Sequence, residues 1–140
     1  MDKETCFTIP KDVTHGRGYV YSLQYHIVWC TKYRKRILAS GLDEEVKAHL
    51  WITAENLQAK ILAMEVMPDH VHLLLDIDPT IGVNMVVSRI KGKTSNVLNR
   101  EFPELRRKLP TLWTRSKFIA TVGSVSLDMV KQYIEDQKGK

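Results

Sequence analysis

An α+β fold of the split β-α-β, ferredoxin-like kind is predicted by three features of this sequence. Residues 19–31 alternate over a long run rich in Tyr, Val, Ile and Trp, which is strand periodicity. Two more strand-like runs, ILAMEVM and HVHLLLDI, are separated only by Pro68-Asp69, a turn dipeptide that makes them a hairpin. Two helical segments, SGLDEEVKAHLWITAENLQAK and VNMVVSRIKGKTSNVLNREF, stand between strands. The order β-α-β-β-α-β gives one antiparallel sheet with two helices on one face, followed by a terminal helix.

Each element has its own warrant. In the first strand Tyr19, Tyr21, Leu23, Tyr25, Ile27 and Trp29 share one face, and Ser22, Gln24, His26, Val28 and Cys30 share the other. The first helix carries Asp43, Glu44 and Glu45 in its first turn, where the helix dipole favours acids. Its inward stripe is Val46, Leu50, Thr53 and Leu57. Pro79 and Gly82 end the third strand, and Gly92 weakens the middle of the second helix. PELRRKLP reads as a short basic turn or helix, and KFIATVG as the fourth strand. SLDMVKQYIEDQ is the terminal helix, with Ser126 placed to cap it. The whole of 1–140 reads as one domain, with 1–18 a flexible N-terminal segment and 124–140 the terminal helix.

Composition narrows the function classes. Hydrophobic residues make up 44% and charged residues 26%, enough to bury a core and stay soluble. No apolar run approaches the length of a membrane span, and the polar start reads as no signal peptide. Two cysteines, Cys6 and Cys30, make no disulfide framework and suit a reducing compartment, so a cytoplasmic protein is expected. Net charge is +5, and it is unevenly spread. Residues 42–78 hold eight acids and two bases; residues 86–117 hold nine bases and two acids. With KYRKR at 32–36 and aromatics close by (Tyr33, Trp113), this points to a polyanion-binding face, nucleic acid before others. Any one basic cluster taken alone reads as a solvated surface.

Strand alternation sends Val71, Leu73, Leu75 and Ile77 toward the helices. It sends His70, His72, Leu74 and Asp76 to the open face. The two imidazoles stand on α-carbons ~7 Å apart, a separation that suits chelation of one ion. Spacing alone favours the plainer reading of strand histidines with ordinary hydrogen bonds. His26 competes on the same face but stands alone; His15 and His49 read as loop and helix-surface residues. In the terminal helix Tyr133 and Gln137 are four apart and share a face. A phenol and an amide carbonyl are thereby presented together. A tyrosine packing its ring on an amphipathic helix, with Val130 and Ile134 alongside, is the alternative.

Together, His70-Val71-His72 on a strand and Tyr133 on a late helix resemble the His-hydrophobe-His endonuclease superfamily, which includes rolling-circle initiators and relaxases. YHIVWCTKYRKRIL, MEVMPDHVHLLLDIDP, LPTLWTRSKFIATVG and VKQYIEDQ resemble, more closely, the single-tyrosine transposases of small prokaryotic insertion sequences. The similarity runs from about Tyr19 to Gln137. It departs at Gly123-Ser124, where the family often has a glycine pair.

The resemblance implies a metal-dependent single-stranded DNA endonuclease and strand transferase acting at DNA hairpins. It implies Tyr133 as nucleophile, forming a covalent 5′-phosphotyrosine, and a divalent ion, Mg²⁺ or Mn²⁺, on His70, His72 and Gln137. It also implies a homodimer with active sites shared between subunits, and no nucleotide cofactor. By charge, Arg34, Lys35, Arg36, Arg89, Lys91, Lys93 and Arg100 are the expected phosphate contacts. Two other readings share the fold: a relative that processes genomic palindromic repeats, and a non-catalytic single-strand-binding module.

Overall fold

The computed structural model describes residues 13–123 and 127–137. A hairpin of β1 (Thr14–Gly16) and β2 (Tyr19–Tyr21) comes first. It is followed by β3 (Gln24–Cys30), α1 (Leu42–Asn56), β4 (Lys60–Val66), β5 (His70–Asp76), α2 (Val83–Glu101), α3 (Glu104–Lys108), β6 (Phe118–Val122) and α4 (Leu127–Asp136). The main sheet has the order β4-β5-β3-β6, every pair antiparallel. β5 lies between β3 and β4, and β3 lies between β5 and β6. Each β-α-β unit is thus split by a strand of the other, as the sequence order predicts.

One face of the sheet makes the core. Ile27, Trp29, Val71, Leu73 and Leu75 pack against Val46, Leu50 and Ala54 of α1 and Val86, Val87, Ile90 and Leu98 of α2, all buried. α1 begins where Gly41 takes a left-handed conformation (φ 96°) and ends before Gln58 takes another (φ 59°). Its inward stripe is the expected one, extended by Ala54, with Leu57 partly buried against the core. α2 runs unbroken through Gly92. Trp29 and Trp113 meet edge to face at 5.7 Å between ring centroids, and the Trp113 indole N–H donates to Thr94 Oγ1 (3.1 Å).

The sequence reading erred at the N-terminal side. The strand expected over 19–31 is two elements, and Thr14–Gly16, expected to be flexible, pairs with Tyr19–Tyr21. Side-chain anchors explain it: Thr14 donates to Asp76 Oδ2 (2.6 Å), and the Tyr19 hydroxyl donates to the Asp78 carboxylate (2.8 Å). The Tyr19 ring also lies over Gly16 so closely that a Cβ there would meet a ring carbon at 2.2 Å. Such polar contacts between residues about sixty apart leave no mark in local periodicity. The expected N-cap Ser126, the Ser124 half of the Gly123-Ser124 joint, and Cys6 lie outside the described residues.

Candidate active site

The face of the sheet away from α1 and α2 is covered by α4. Ile134 is fully buried there against Leu74 and Ala63, with Leu62 and Val122 at the margin. A register shift between Ile61 and Ala63 lets β4 present Ala63 to this side, and so small a side chain lets the helix come close.

Three histidines lie under the edge of α4. In register, Val28 stands opposite His72 and His26 opposite Leu74, so His26 and His72 are diagonal neighbours on one face. Their rings lie edge to edge, 15° from parallel with centroids 5.5 Å apart, and His26 Nε2 is 3.3 Å from His72 Nδ1. The Nε2 atoms of His70 and His72 are 3.1 Å apart. His70 Nδ1 donates to Asp69 Oδ1 (2.6 Å). Arg34 in turn holds the other oxygen, Asp69 Oδ2, with Nε at 3.2 Å and a terminal nitrogen at 3.1 Å. Arg34 reaches it from a turn where Tyr33 (φ 60°) and Arg34 (φ 53°) are both left-handed, a conformation that costs about 1 kcal/mol or more per non-glycine residue. Thr31 fastens the same turn, donating through Oγ1 to the Lys35 carbonyl (2.7 Å) and through its backbone N–H to the Asp69 carbonyl (2.9 Å).

This packing sets the charge states. Burial, then the neighbouring His70 and His26, pull the His72 pKa down to about 4, against a weaker upward pull from Glu65. His72 is therefore a neutral imidazole at pH 7, which is the ligating form. His26 is lowered by burial as well. Burial pushes the Asp69 carboxyl upward, but hydrogen bonds from His70 and Arg34 outweigh it and hold the group below its ordinary range.

Tyr133 stands over this cluster. Its ring is edge-on to His72 at 6.1 Å and to His26 at 6.4 Å between centroids, and it is 49% exposed to solvent. The helix that carries it packs on its own chain's sheet. Gln137 is not brought to the histidines: its amide donates to the Tyr133 carbonyl (3.5 Å).

The residues fit a divalent ion. Two nitrogens bound to one ion at ~2.1 Å with a right angle between them are ~3 Å apart, and the two Nε2 atoms are at that spacing. Among the described residues another group could also hold an ion: Glu45, His49 and Glu101, whose ligand atoms lie within 4.8 Å of one another. It sits on α1 and α2, across the sheet from Tyr133, and both carboxylates are exposed.

The expected DNA contacts divide. Lys35, Arg36, Arg89, Lys93 and Arg100 are exposed, and the last three share the outer stripe of α2 by helical spacing. Arg34 is held by Asp69 but remains 65% exposed. Lys91, expected on phosphate, is engaged otherwise. Its ammonium donates to the Thr114 carbonyl (2.7 Å) and approaches those of Ser116 (3.3 Å) and Arg115 (3.5 Å). Burial and then Lys117 lower its pKa. Lys91 thus anchors a loop that exposes Arg115, beside a groove of about 290 Å³ lined by Ser88, Gly92, Ser95 and Lys117.

A family model described as "Transposase IS200 like" matches residues 19–137. The chain belongs to that family. It is 37% identical to the ISDra2 transposase TnpA of Deinococcus radiodurans over 138 residues, covering 97% of this chain and 99% of that one. It is 31% identical to the transposase for insertion sequence element IS200 of Salmonella typhimurium, covering 91% and 86%. The crystal structure of a transposase candidate from Deinococcus radiodurans superposes with a TM-score of 0.74 at 36% identity, covering 89% of this chain and 97% of that one. A REP-associated tyrosine transposase bound to a REP hairpin shares the fold, with a TM-score of 0.63 at 13% identity, covering 88% and 70%. This IS200-like protein is therefore an enzyme, a transposase. No helix among its described residues is long and apolar enough to cross a membrane.

Sequence reasoning missed two members of the site. His26 was assigned to the correct face but left without a partner. Its adjacency to His72 follows only once β3 is placed beside β5 in this register. Asp69 was read as a turn residue, and the signal available was its position directly before His70.

Proposed function

We propose that the protein cuts and rejoins single-stranded DNA at hairpins of insertion-sequence ends through a covalent 5′-phosphotyrosine on Tyr133. The observation that carries this is the convergence of Tyr133 with two imidazole nitrogens 3.1 Å apart. The Tyr133 oxygen attacks the scissile phosphorus, and the bond to the 3′ oxygen breaks. The phosphodiester energy stays in the adduct, and rejoining needs no nucleotide. His70 and His72 would hold a divalent ion, Mg²⁺ or Mn²⁺, which when bound supplies positive charge to the phosphate oxygens. Gln137 would supply its amide oxygen as a third ligand; its amide nitrogen now donates to the Tyr133 carbonyl at 3.5 Å, the outer limit of a hydrogen bond. Asp69 keeps the His70 Nδ1 proton in place, so His70 Nε2 stays free.

DNA phosphates would run along Arg89, Lys93 and Arg100 of α2 and reach the catalytic face past Arg34, Lys35 and Arg36, with Arg115 at the groove. A protein working on such DNA would act in the cytoplasm, on the nucleoid. Identity to transposases of insertion sequences favours those ends over scattered genomic palindromes as substrate.

Two copies would share their sites. Among the described residues α4 buries one large side chain fully, Ile134, and releasing it costs about 1.5–3 kcal/mol. In a shared site α4 would leave this contact and dock on a partner's sheet. The test of the proposal is a labelled hairpin incubated with Mn²⁺ and run on a denaturing gel. A covalent adduct from the wild type and none from Tyr133→Phe is expected; adduct from Tyr133→Phe would refute the nucleophile. Mixing Tyr133→Phe with His70→Ala restores adduct if sites are shared and stays inactive if they are not.

A further inference from the structure

We infer that His26 is a positioning residue: it accepts the Nδ1 proton of His72 and so turns the His72 Nε2 lone pair toward the ion site. The inference rests on the reading of His70 and His72 as the metal ligands. A neutral imidazole has one N–H and one lone pair, on different nitrogens. To coordinate through Nε2, His72 must carry its proton on Nδ1. A proton held there beside the core needs an acceptor, and the atom facing it is His26 Nε2 at 3.3 Å.

His26 is not itself a third ligand of the same ion. It touches the far nitrogen of His72, whereas the two ligating nitrogens face each other on the opposite side of the ring. Each ligand histidine then has its own orienting partner, arranged in mirror fashion. The carboxylate of Asp69 holds His70 Nδ1 (2.6 Å) and the imidazole of His26 holds His72 Nδ1. The neutral partner suits the more buried ring. His72 is 6% exposed, and a second carboxylate there would favour an imidazolium, which cannot ligate. The two rings lie edge to edge, 15° from parallel, so the contact between His26 Nε2 and His72 Nδ1 lies close to both ring planes, where an N–H and a lone pair point. His26 is set for the task by register: its proton must sit on Nδ1, away from His72, and Tyr133 and Phe118 lie against its ring at 6.4 and 6.2 Å.

Three proteins separate the possibilities: the wild type, His26→Leu and His26→Gln. Mn²⁺ affinity is measured by electron paramagnetic resonance without DNA. Loss of an orienting partner typically weakens a metal site by ~10–100-fold. His26→Leu should fall in that range, and His26→Gln, whose amide oxygen can accept the same proton, should recover most of the affinity. Equal affinity in the wild type and His26→Leu would overturn the inference. A wild type that binds no Mn²⁺ would instead overturn the reading of the site. The second measurement needs no variant to fold. Long-range ¹⁵N–¹H spectra of the Zn²⁺-loaded wild type should show the His72 proton on Nδ1 and the His26 proton on Nδ1. A His72 proton on Nε2 in the loaded protein would overturn the inference as well.

Discussion

Within β5, Val71, Leu73 and Leu75 face α1 and α2 and are fully buried in a large apolar cluster. His70, His72 and Leu74 face the other way, under α4, where Ile134 is fully buried among the described residues. One strand thus serves stability and chemistry by parity alone. On the face under α1 and α2 burial is deep and polar groups are few: Thr94 Oγ1 accepts from the Trp113 indole, while the buried Trp29 indole N–H finds no partner among the described residues. The α4 face is shallow enough to leave Tyr133 half in solvent, yet buried enough to keep His72 neutral. The proposed metal-assisted attack by Tyr133 would need both conditions at once.

The largest effects should come from substitutions that break chemistry on one face while leaving the other intact. Tyr133→Phe and His70→Ala should reduce covalent adduct to background, with midpoints of urea unfolding close to wild type. Both side chains sit at least partly in solvent. A large loss of stability in His70→Ala would show that the α4 face supports the fold and would weaken the division of labour. The expectation from sequence was that both histidines are exposed; His72, at 6%, is not, so His70 is the cleaner test.

The converse substitution is Leu73→Ala, three residues from His70 and one from His72 along the same strand. It should cost about 3 kcal/mol through the cavity left between α1 and α2. Refolded protein at low temperature should still form adduct. If activity disappears while the protein remains folded, the two faces are coupled more tightly than their packing suggests.

How much of this was legible beforehand differs between the same two faces. The core face was read almost whole, because Val71, Leu73 and Leu75 carry strand periodicity, and Val46 and Leu50 carry helix periodicity. The catalytic face was read in pieces. His70, His72 and Tyr133 were named through resemblance to a family, whereas spacing alone left them undecided. His26 was seen on the right face but left without a partner, since its place beside His72 depends on which strand lies beside which, and Asp69 was read only as a turn residue. The surroundings of Lys91 were unreadable for a related reason: charge counts cannot show that three carbonyls of a loop surround an ammonium.

Acid should sharpen the contrast next. In the metal-free protein His72 stays neutral down to about pH 4, whereas in the unfolded chain an ordinary imidazole takes its proton near 6.5. Between those values the unfolded state binds more protons, so stability rises with pH there and falls as pH drops. Above pH 6.5 this group adds no slope. The loss from pH 6.5 to 4 should be about 1–3 kcal/mol, and His26, also lowered by burial, acts in the same direction. His72→Gln should flatten urea-derived stability across this window. An unchanged slope in that variant would assign the acid sensitivity to carboxylates elsewhere.

The smallest effects concern the outer surface of the helix layer, where two lysines two residues apart on α2 have opposite environments. Lys93 is exposed, and Lys91 is half-buried against the carbonyls of Thr114, Arg115 and Ser116. If Lys93 and Arg89 contact phosphates, each alanine substitution should lower the slope of log affinity against log salt by about 0.7 for a single-stranded contact. Lys91→Ala should act through the protein: about 1–2 kcal/mol of stability lost with the charge-assisted bonds, and weaker hairpin binding because Arg115 is no longer held. The two modes separate in one experiment, hairpin affinity titrated over salt beside thermal unfolding. Lys93→Ala should change the slope and not the melting temperature. Lys91→Ala should lower the melting temperature and, if the 114–117 loop carries DNA through Arg115, lose slope as well. A Lys91→Ala protein that melts like wild type while losing the slope of one contact would return Lys91 to the phosphate role expected from sequence.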